Sequence, residues 1–224
     1  MKNRLYKLRF GSNGKKLLLP IAFCAVTTAI LLMAVQPIMA HIELAVEQET
    51  YRVLEERPTI KGVAQDGEVL LSESGGYPTD GEALGSIRIG GTSVDCTLYF
   101  GDGSAQLHAG AGIWAGGKIP GQGGTVLVAG HTNSFFRDLE SVKEGADITL
   151  ETRYGEFHYR VTGTRVAMAE DTTAYDLEAQ QENIILYTCY PFGQVTLTPE
   201  RYFVYGEYVS GPHIKEEANA TENG

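Results

Sequence analysis

Two runs between residues 146 and 162 alternate apolar with polar side chains. Ala146, Ile148 and Leu150 interleave with Asp147, Thr149 and Glu151, and Phe157, Tyr159 and Val161 interleave with His158, Arg160 and Thr162. A period of two gathers all the apolar residues on one face of an extended strand, whereas a helix would scatter them. Tyr154-Gly155 lies between the runs, so they read as a hairpin with one buried face. Similar segments surround it. Ser86–Gly90 and Val94–Phe100 flank the turn-like Gly91-Thr92-Ser93, and Gly101-Asp102-Gly103 closes the second. Thr125–Ala129 is a short, continuous apolar run of the kind that forms a buried strand. Asn183–Thr188 and Tyr202–Val209 add two more strands, and Phe135–Val142 suits one or two helical turns. Seven or so strands at close spacing, starting near Leu84, with little helix, predict a mostly β domain closed as a barrel or stacked as a sandwich.

The chain ahead of this domain has a different character. Residues 17–40 form an uncharged run of 24, long enough for a helix to span a bilayer core. Six bases and no acid precede its end (Lys2, Arg4, Lys7, Arg9, Lys15 and Lys16), and acids follow from Glu43. That asymmetry places residues 1–16 in the cytoplasm and the bulk of the chain outside a cell membrane crossed once. A cleaved signal peptide is the competing reading, with Ala40 before the cut. The run is long for one, and Ile38 stands where a second small residue is usual. Residues 41–83 hold ten acids and three bases among Gly, Ser and Pro, and read as a stalk and linker. The β domain is then 84–210, with a polar, disordered tail over 211–224.

Beyond residue 40, twelve bases face 28 acids. A nucleic-acid binder needs a basic face to displace phosphate counterions, so that class is excluded. Three cysteines exclude a disulfide-dense scaffold.

Chemically capable residues stand at strand ends. Cys189 closes the apolar run Ile184-Ile185-Leu186-Tyr187-Thr188, and His131 follows Val126-Leu127-Val128-Ala129-Gly130. Gly130 implies a sharp exit or a close backbone approach. Arg201 opens the last strand after Thr198-Pro199-Glu200. A thiol reacts as thiolate, which a neighbouring cation favours; a histidine can protonate a leaving amine; a fixed donor can stabilise an oxyanion. Together they suit acyl transfer through a thioester. Each type also has a quieter role. Cys189 can be an inert core thiol or pair with Cys96 in a disulfide, His131 can be structural, and Arg201 can lie at the surface.

The ordered set Gly130-His131-Thr132, Leu186-Tyr187-Thr188-Cys189 and Arg201 resembles the bacterial sortases. Ile119-Pro120-Gly121 before the histidine strand, and Phe135–Leu139 with Glu144–Ile148 after it, extend the resemblance over about residues 84–210. It implies a closed eight-stranded sortase-type β-barrel with short helices, preceded by a transmembrane helix, acting as a cysteine transpeptidase of Gram-positive bacteria. Such an enzyme cleaves an LPXTG-type sorting signal of a secreted protein and passes the acyl group to a cell-wall amine, typically of peptidoglycan. Carried over by motif, Cys189 is the nucleophile, His131 the general acid and base, and Arg201 the oxyanion or substrate-orienting cation. Thr188 is a secondary contributor to the oxyanion site, and residues 168–183 line the groove. No cofactor is implied. Some sortases are activated by calcium, but no acidic cluster here matches that site.

Departures from the pattern bear on subclass. Ile185 stands where the family usually has Thr. Cys189-Tyr190-Pro191-Phe192 looks most like class D, and residues 41–83 hold no Asp-Pro-aromatic lid of the pilin-polymerising type. Two other readings are a non-catalytic extracellular β-domain with a structural Cys96–Cys189 disulfide, and a papain-like wall hydrolase. In the latter Cys precedes His along the chain, the reverse of the order here.

Overall fold

The computed structural model describes residue 20, residues 23–33, residue 35, residues 64–193 and residues 198–216. The chain divides into two units, 1–49 and 50–224. In the first, residues 23–33 are helical and expose Phe23, Val26, Ile30, Leu31, Leu32 and Met33. The hydroxyls of Thr27 and Thr28 donate to the carbonyls of Phe23 and Cys24 one turn back, so the helix satisfies its own polar groups. Much of the predicted 17–40 span lies outside the described residues, and among these no helix is long and apolar enough to cross a membrane.

Among the described residues of the second unit ten strands follow in order: β1 (Glu68–Leu70), β2 (Ala83–Ile89), β3 (Asp95–Phe100), β4 (Ala111–Ile113), β5 (Thr125–Ala129), β6 (Asp147–Thr152), β7 (Gly155–Met168), β8 (Asn183–Tyr190), β9 (Glu200–Ser210) and β10 (His213–Lys215). A short helix, Ser104–Ala109, carries the chain from β3 to β4. Eight strands close a barrel in the order β2-β3-β4-β5-β8-β9-β7-β6. The alternating runs form the antiparallel β6–β7 hairpin, with Ile148 opposite Tyr159 and Leu150 opposite Phe157. β7 continues beyond the hairpin to pair with β9 as far as Met168 and Glu200, shifting register near Val161 and Gly163.

The interior is filled from every wall: Ile87, Leu98, Ile113, Val126, Val128, Ile148, Leu150, Phe157, Tyr159, Ile184, Leu186 and Val204 are all buried there. β5 is buried on both faces because a second apolar cluster covers its outer side. Leu127, Ile185, Ala167, Ala174 and Phe203 form that cluster, with Trp114, Tyr175 and Tyr187 packed against it. This is why Thr125–Ala129 lacks polar alternation: a strand covered on both sides needs none.

β4, the strand missing from the sequence pattern, is too short to show a period. At Gly112 a β-carbon would lie 2.3 Å from the Gly101 carbonyl oxygen, so only glycine allows the approach. The segments flanking the barrel also differ from expectation. β1, within the expected linker, pairs in parallel with β10, within the expected disordered tail, with Glu68 opposite His213 and Leu70 opposite Lys215. Three-residue strands joined from opposite ends of a domain leave no local signature.

Candidate active site

β5, β8 and β9 are consecutive in the barrel wall, and their registers align the three strand ends. β5 and β8 run parallel with Ala129 opposite Tyr187. The pairing continues past the end of β5: the Gly130 N–H donates to the Tyr187 carbonyl at 3.2 Å, and the Thr188 hydroxyl donates to the Gly130 carbonyl at 2.7 Å. Counted one residue further, the same register sets His131 level with Cys189 along the chain. Across the antiparallel β8–β9 ladder, Cys189 is directly opposite Arg201. Directly paired residues share a sheet face. Alternation identifies the face: Ile184, Leu186 and Thr188 point into the barrel, while Ile185 and Tyr187 pack on its outer side, and Cys189 follows them.

Gly130 makes the exit of β5 possible. A β-carbon there would sit 2.5 Å from the Phe136 ring, which is fully buried against the backbone. The Phe136 N–H donates in turn to the His131 carbonyl at 3.0 Å, closing the turn. His131 is half-buried, and its ring meets that of His108 edge to face at 5.0 Å between centroids. Burial pushes the His131 pKa down, and the nearby charge of His108 adds to the effect. Cys189 is a half-buried thiol. Arg201 is held from behind: its Nη1 donates to the carbonyls of Thr198 at 2.6 Å and Glu200 at 2.9 Å.

The expected residues do not all occupy one place. Thr188 is 2% exposed and its hydroxyl is committed to Gly130, so its side chain braces β5 against β8 from inside rather than facing the cavity. The alternative Cys96–Cys189 disulfide is overturned, since both residues are thiols. Cys96 lies on β3, and β4 and β5 separate β3 from β8. Three strand spacings amount to about 14 Å, twice the Cα separation of about 7 Å that a disulfide tolerates.

A cavity of about 330 Å³ opens on the outer face beside Arg201, over Leu127 and Phe203 and walled by Trp114, Tyr175 and Tyr187. Ala169, Tyr175 and Leu177 bring the 168–183 segment to its edge. That segment is tied at several points. The Tyr205 hydroxyl donates to the Ala174 carbonyl at 2.8 Å, and the Thr125 hydroxyl donates to that of Asp176. At its end the Glu182 carboxylate accepts from the N–H groups of Gly121 at 3.0 Å and Gly123 at 3.2 Å, and from the Tyr159 hydroxyl at 2.6 Å. On the cavity wall the Tyr187 hydroxyl donates to Asp102 at 2.9 Å. Burial and the adjacent Asp102 carboxylate hold that phenol protonated well above its usual range.

Asp102, His108, Trp114 and Phe203 are the site's neighbours that the sequence pattern did not single out. Phe203 and Tyr187 were reachable by counting two residues from Arg201 and Cys189 along their strands. Asp102 and His108 come from the β3–β4 connection, which no spacing ties to the motif. Among the described residues no group of three or more His, Cys, Asp or Glu is gathered to hold a metal ion. The arrangement sets a thiol and a guanidinium opposite each other on β8 and β9 and an imidazole at the end of β5, with the guanidinium lining the cavity. That set supplies a nucleophile, a proton carrier and an oxyanion donor.

Comparison with known proteins follows the same outline. A family model for the sortase domain matches residues 87–209. Sortase D of Bacillus subtilis (strain 168) is 31% identical over 133 residues, covering 59% of this chain and 67% of that protein. The crystal structure of sortase C from Clostridium perfringens SM101 superposes with a TM-score of 0.53 at 25% identity, over 59% of this chain and 72% of that one. A Clostridium perfringens sortase D5 transpeptidase matches with a TM-score of 0.52 over 73% of this chain and 88% of its own, at 21% identity, and bears on the fold alone.

Proposed function

The chain belongs to the sortase family, and from that premise we propose that it is a membrane-anchored cysteine transpeptidase acting on the outer cell surface. It cleaves an LPXTG-type sorting signal of secreted proteins and transfers the acyl part to an amine of the cell wall. The observation that carries this reading is the shared register of β5, β8 and β9, which brings His131, Cys189 and Arg201 to adjacent strand ends.

In the first half-reaction the Cys189 thiolate attacks the carbonyl carbon of the residue before the scissile bond. The carbonyl oxygen gains charge as the tetrahedral intermediate forms, and the Arg201 guanidinium stabilises it. His131 gives its proton to the departing amine, leaving a thioester on Cys189. In the second half an acceptor amine attacks that thioester, His131 takes up the proton it loses, and the Cys189 thiolate leaves. Burial and His108 lower the pKa of His131, which makes its imidazolium a stronger acid toward the departing amine. The apolar cavity beside Arg201 receives the side chains ahead of the scissile bond. Similarity to a Sortase D accords with the Cys189-Tyr190-Pro191-Phe192 sequence and favours class D.

The anchor is residues 17–40, with the N-terminus cytoplasmic. The all-round apolar surface of residues 23–33 and their internally bonded threonines support a helix in lipid.

The test uses the full chain and its Cys189→Ala variant with quenched sorting-signal peptides, with and without triglycine or hydroxylamine, and mass spectrometry of the products. Amine-dependent cleavage after Thr, absent in Cys189→Ala, is the expected result. Cleavage that survives Cys189→Ala overturns the assignment.

A further inference from the structure

The helix Ser104–Ala109 contributes a second imidazole to the site. The His108 Nδ1 lies 2.6 Å from the Ser104 carbonyl oxygen, one helical turn back. A carbonyl has no hydrogen to give, so Nδ1 must carry the proton and donate. The bond fixes both the tautomer and the orientation of the ring. The ring so fixed meets His131 edge to face, with an interplanar angle of 76°. An aromatic pair at this separation and angle is an attractive packing geometry. His131 itself lies two residues past the end of β5.

The geometry points to His108 as a positioning residue that holds the His131 imidazole in the orientation needed for proton transfer. This rests on the reading of His131 as general acid and base. Charge adds to the contact. The charge of His108 opposes protonation of His131, in the same direction as its burial. The other titratable or charged groups on the neighbouring elements are Cys189 on β8, Arg201 on β9, Asp102 on the loop after β3, and Arg137, Asp138 and Glu140 on the segment that follows His131.

His108 is exposed, so its replacement spares the core. The full chain, its His108→Ala and its His108→Phe variants are compared in two measurements. The first is the kcat and KM for peptide cleavage. His108→Ala is expected to lower kcat about 10-fold with KM unchanged, and His108→Phe, which keeps a ring against His131, to recover most of that loss. The second is the titration of the His131 ring protons by NMR in a Cys189→Ala background, which needs no turnover. There the midpoint of His131 rises in both variants, because a charge that opposed its protonation is gone. An unchanged midpoint in His108→Ala, or a His108→Phe rate as low as that of His108→Ala, overturns the inference. If the wild-type chain cleaves no peptide, the transpeptidase reading fails while the titration still decides the role of His108.

Discussion

The Thr188 hydroxyl donates to the Gly130 carbonyl, and this bond joins the residue before Cys189 to the residue before His131. It is buried and ties β8 to the exit of β5. Thr188→Val keeps the shape and removes the donor. It should cost about 1–2 kcal/mol in stability by leaving a buried carbonyl unpaired. The rate should fall more than that loss predicts, because Cys189 and His131 are then no longer held in one register. Denaturant melts together with kcat at a temperature where the variant is fully folded separate the two effects. A variant with normal kcat would show the bond to be structural only.

Gly130→Ala places a methyl group in the Phe136 ring. Phe136 is fully buried and cannot swing away, so the backbone at residue 130 must shift. A loss of about 1–3 kcal/mol is expected. Gly130→Ala with Phe136→Leu should recover part of it, and a double-mutant cycle on thermal unfolding measures the recovery.

Arg201→Lys should lower kcat roughly 100-fold. Nη1 is committed to the carbonyls of Thr198 and Glu200, so the planar fork is aimed by its own loop. An ammonium group keeps the charge but cannot be aimed in this way. Single-turnover acylation of Cys189 is the direct measurement.

Protonation of His131 opposes folding. Burial, and then His108, hold its pKa below the ordinary 6.5. Between the folded value and 6.5 the unfolded chain binds more protons than the folded one, so stability falls as the pH falls through this interval. Above about 6.5 the contribution is complete. His131→Gln should flatten the dependence of Tm on pH between about pH 7 and pH 5 relative to wild type. Parallel slopes would show that His131 is equally accessible to protons in both states.

Trp114 is the single tryptophan of the chain and walls the cavity beside Arg201. Adding a sorting-signal peptide to the Cys189→Ala protein should change its fluorescence saturably. Binding seen by calorimetry without a fluorescence change would place the peptide elsewhere.

The sequence exposes this fold unevenly, for physical reasons. The β6–β7 hairpin and β5 were legible because one has a single buried face and the other two, and each leaves its own pattern of apolar residues. β4 and the β1–β10 pair were not, since three residues carry no period and their partners lie far along the chain. The site behaves similarly. Cys189, His131 and Arg201 stood out as strand-end residues of reactive type. The inward turn of Thr188 follows from parity with Leu186 and was available by counting. The approach of His108 to His131, and of Asp102 to Tyr187, depends on how the β3–β4 connection folds over the wall.

The β1–β10 ladder has a mechanical consequence. Ile214 donates to the Gly121 carbonyl and His213 to that of Gly67, which seats the ladder near the start of β5. His131 leaves from the other end of β5, so the chain enters the barrel at the pole opposite the reactive rim. Tension along residues 64–70 is borne first by β1 against β10, away from the strand ends that hold Cys189 and Arg201. Within this unit a pull on residues 64–70 is met at one pole, while the strand ends at the other keep their register.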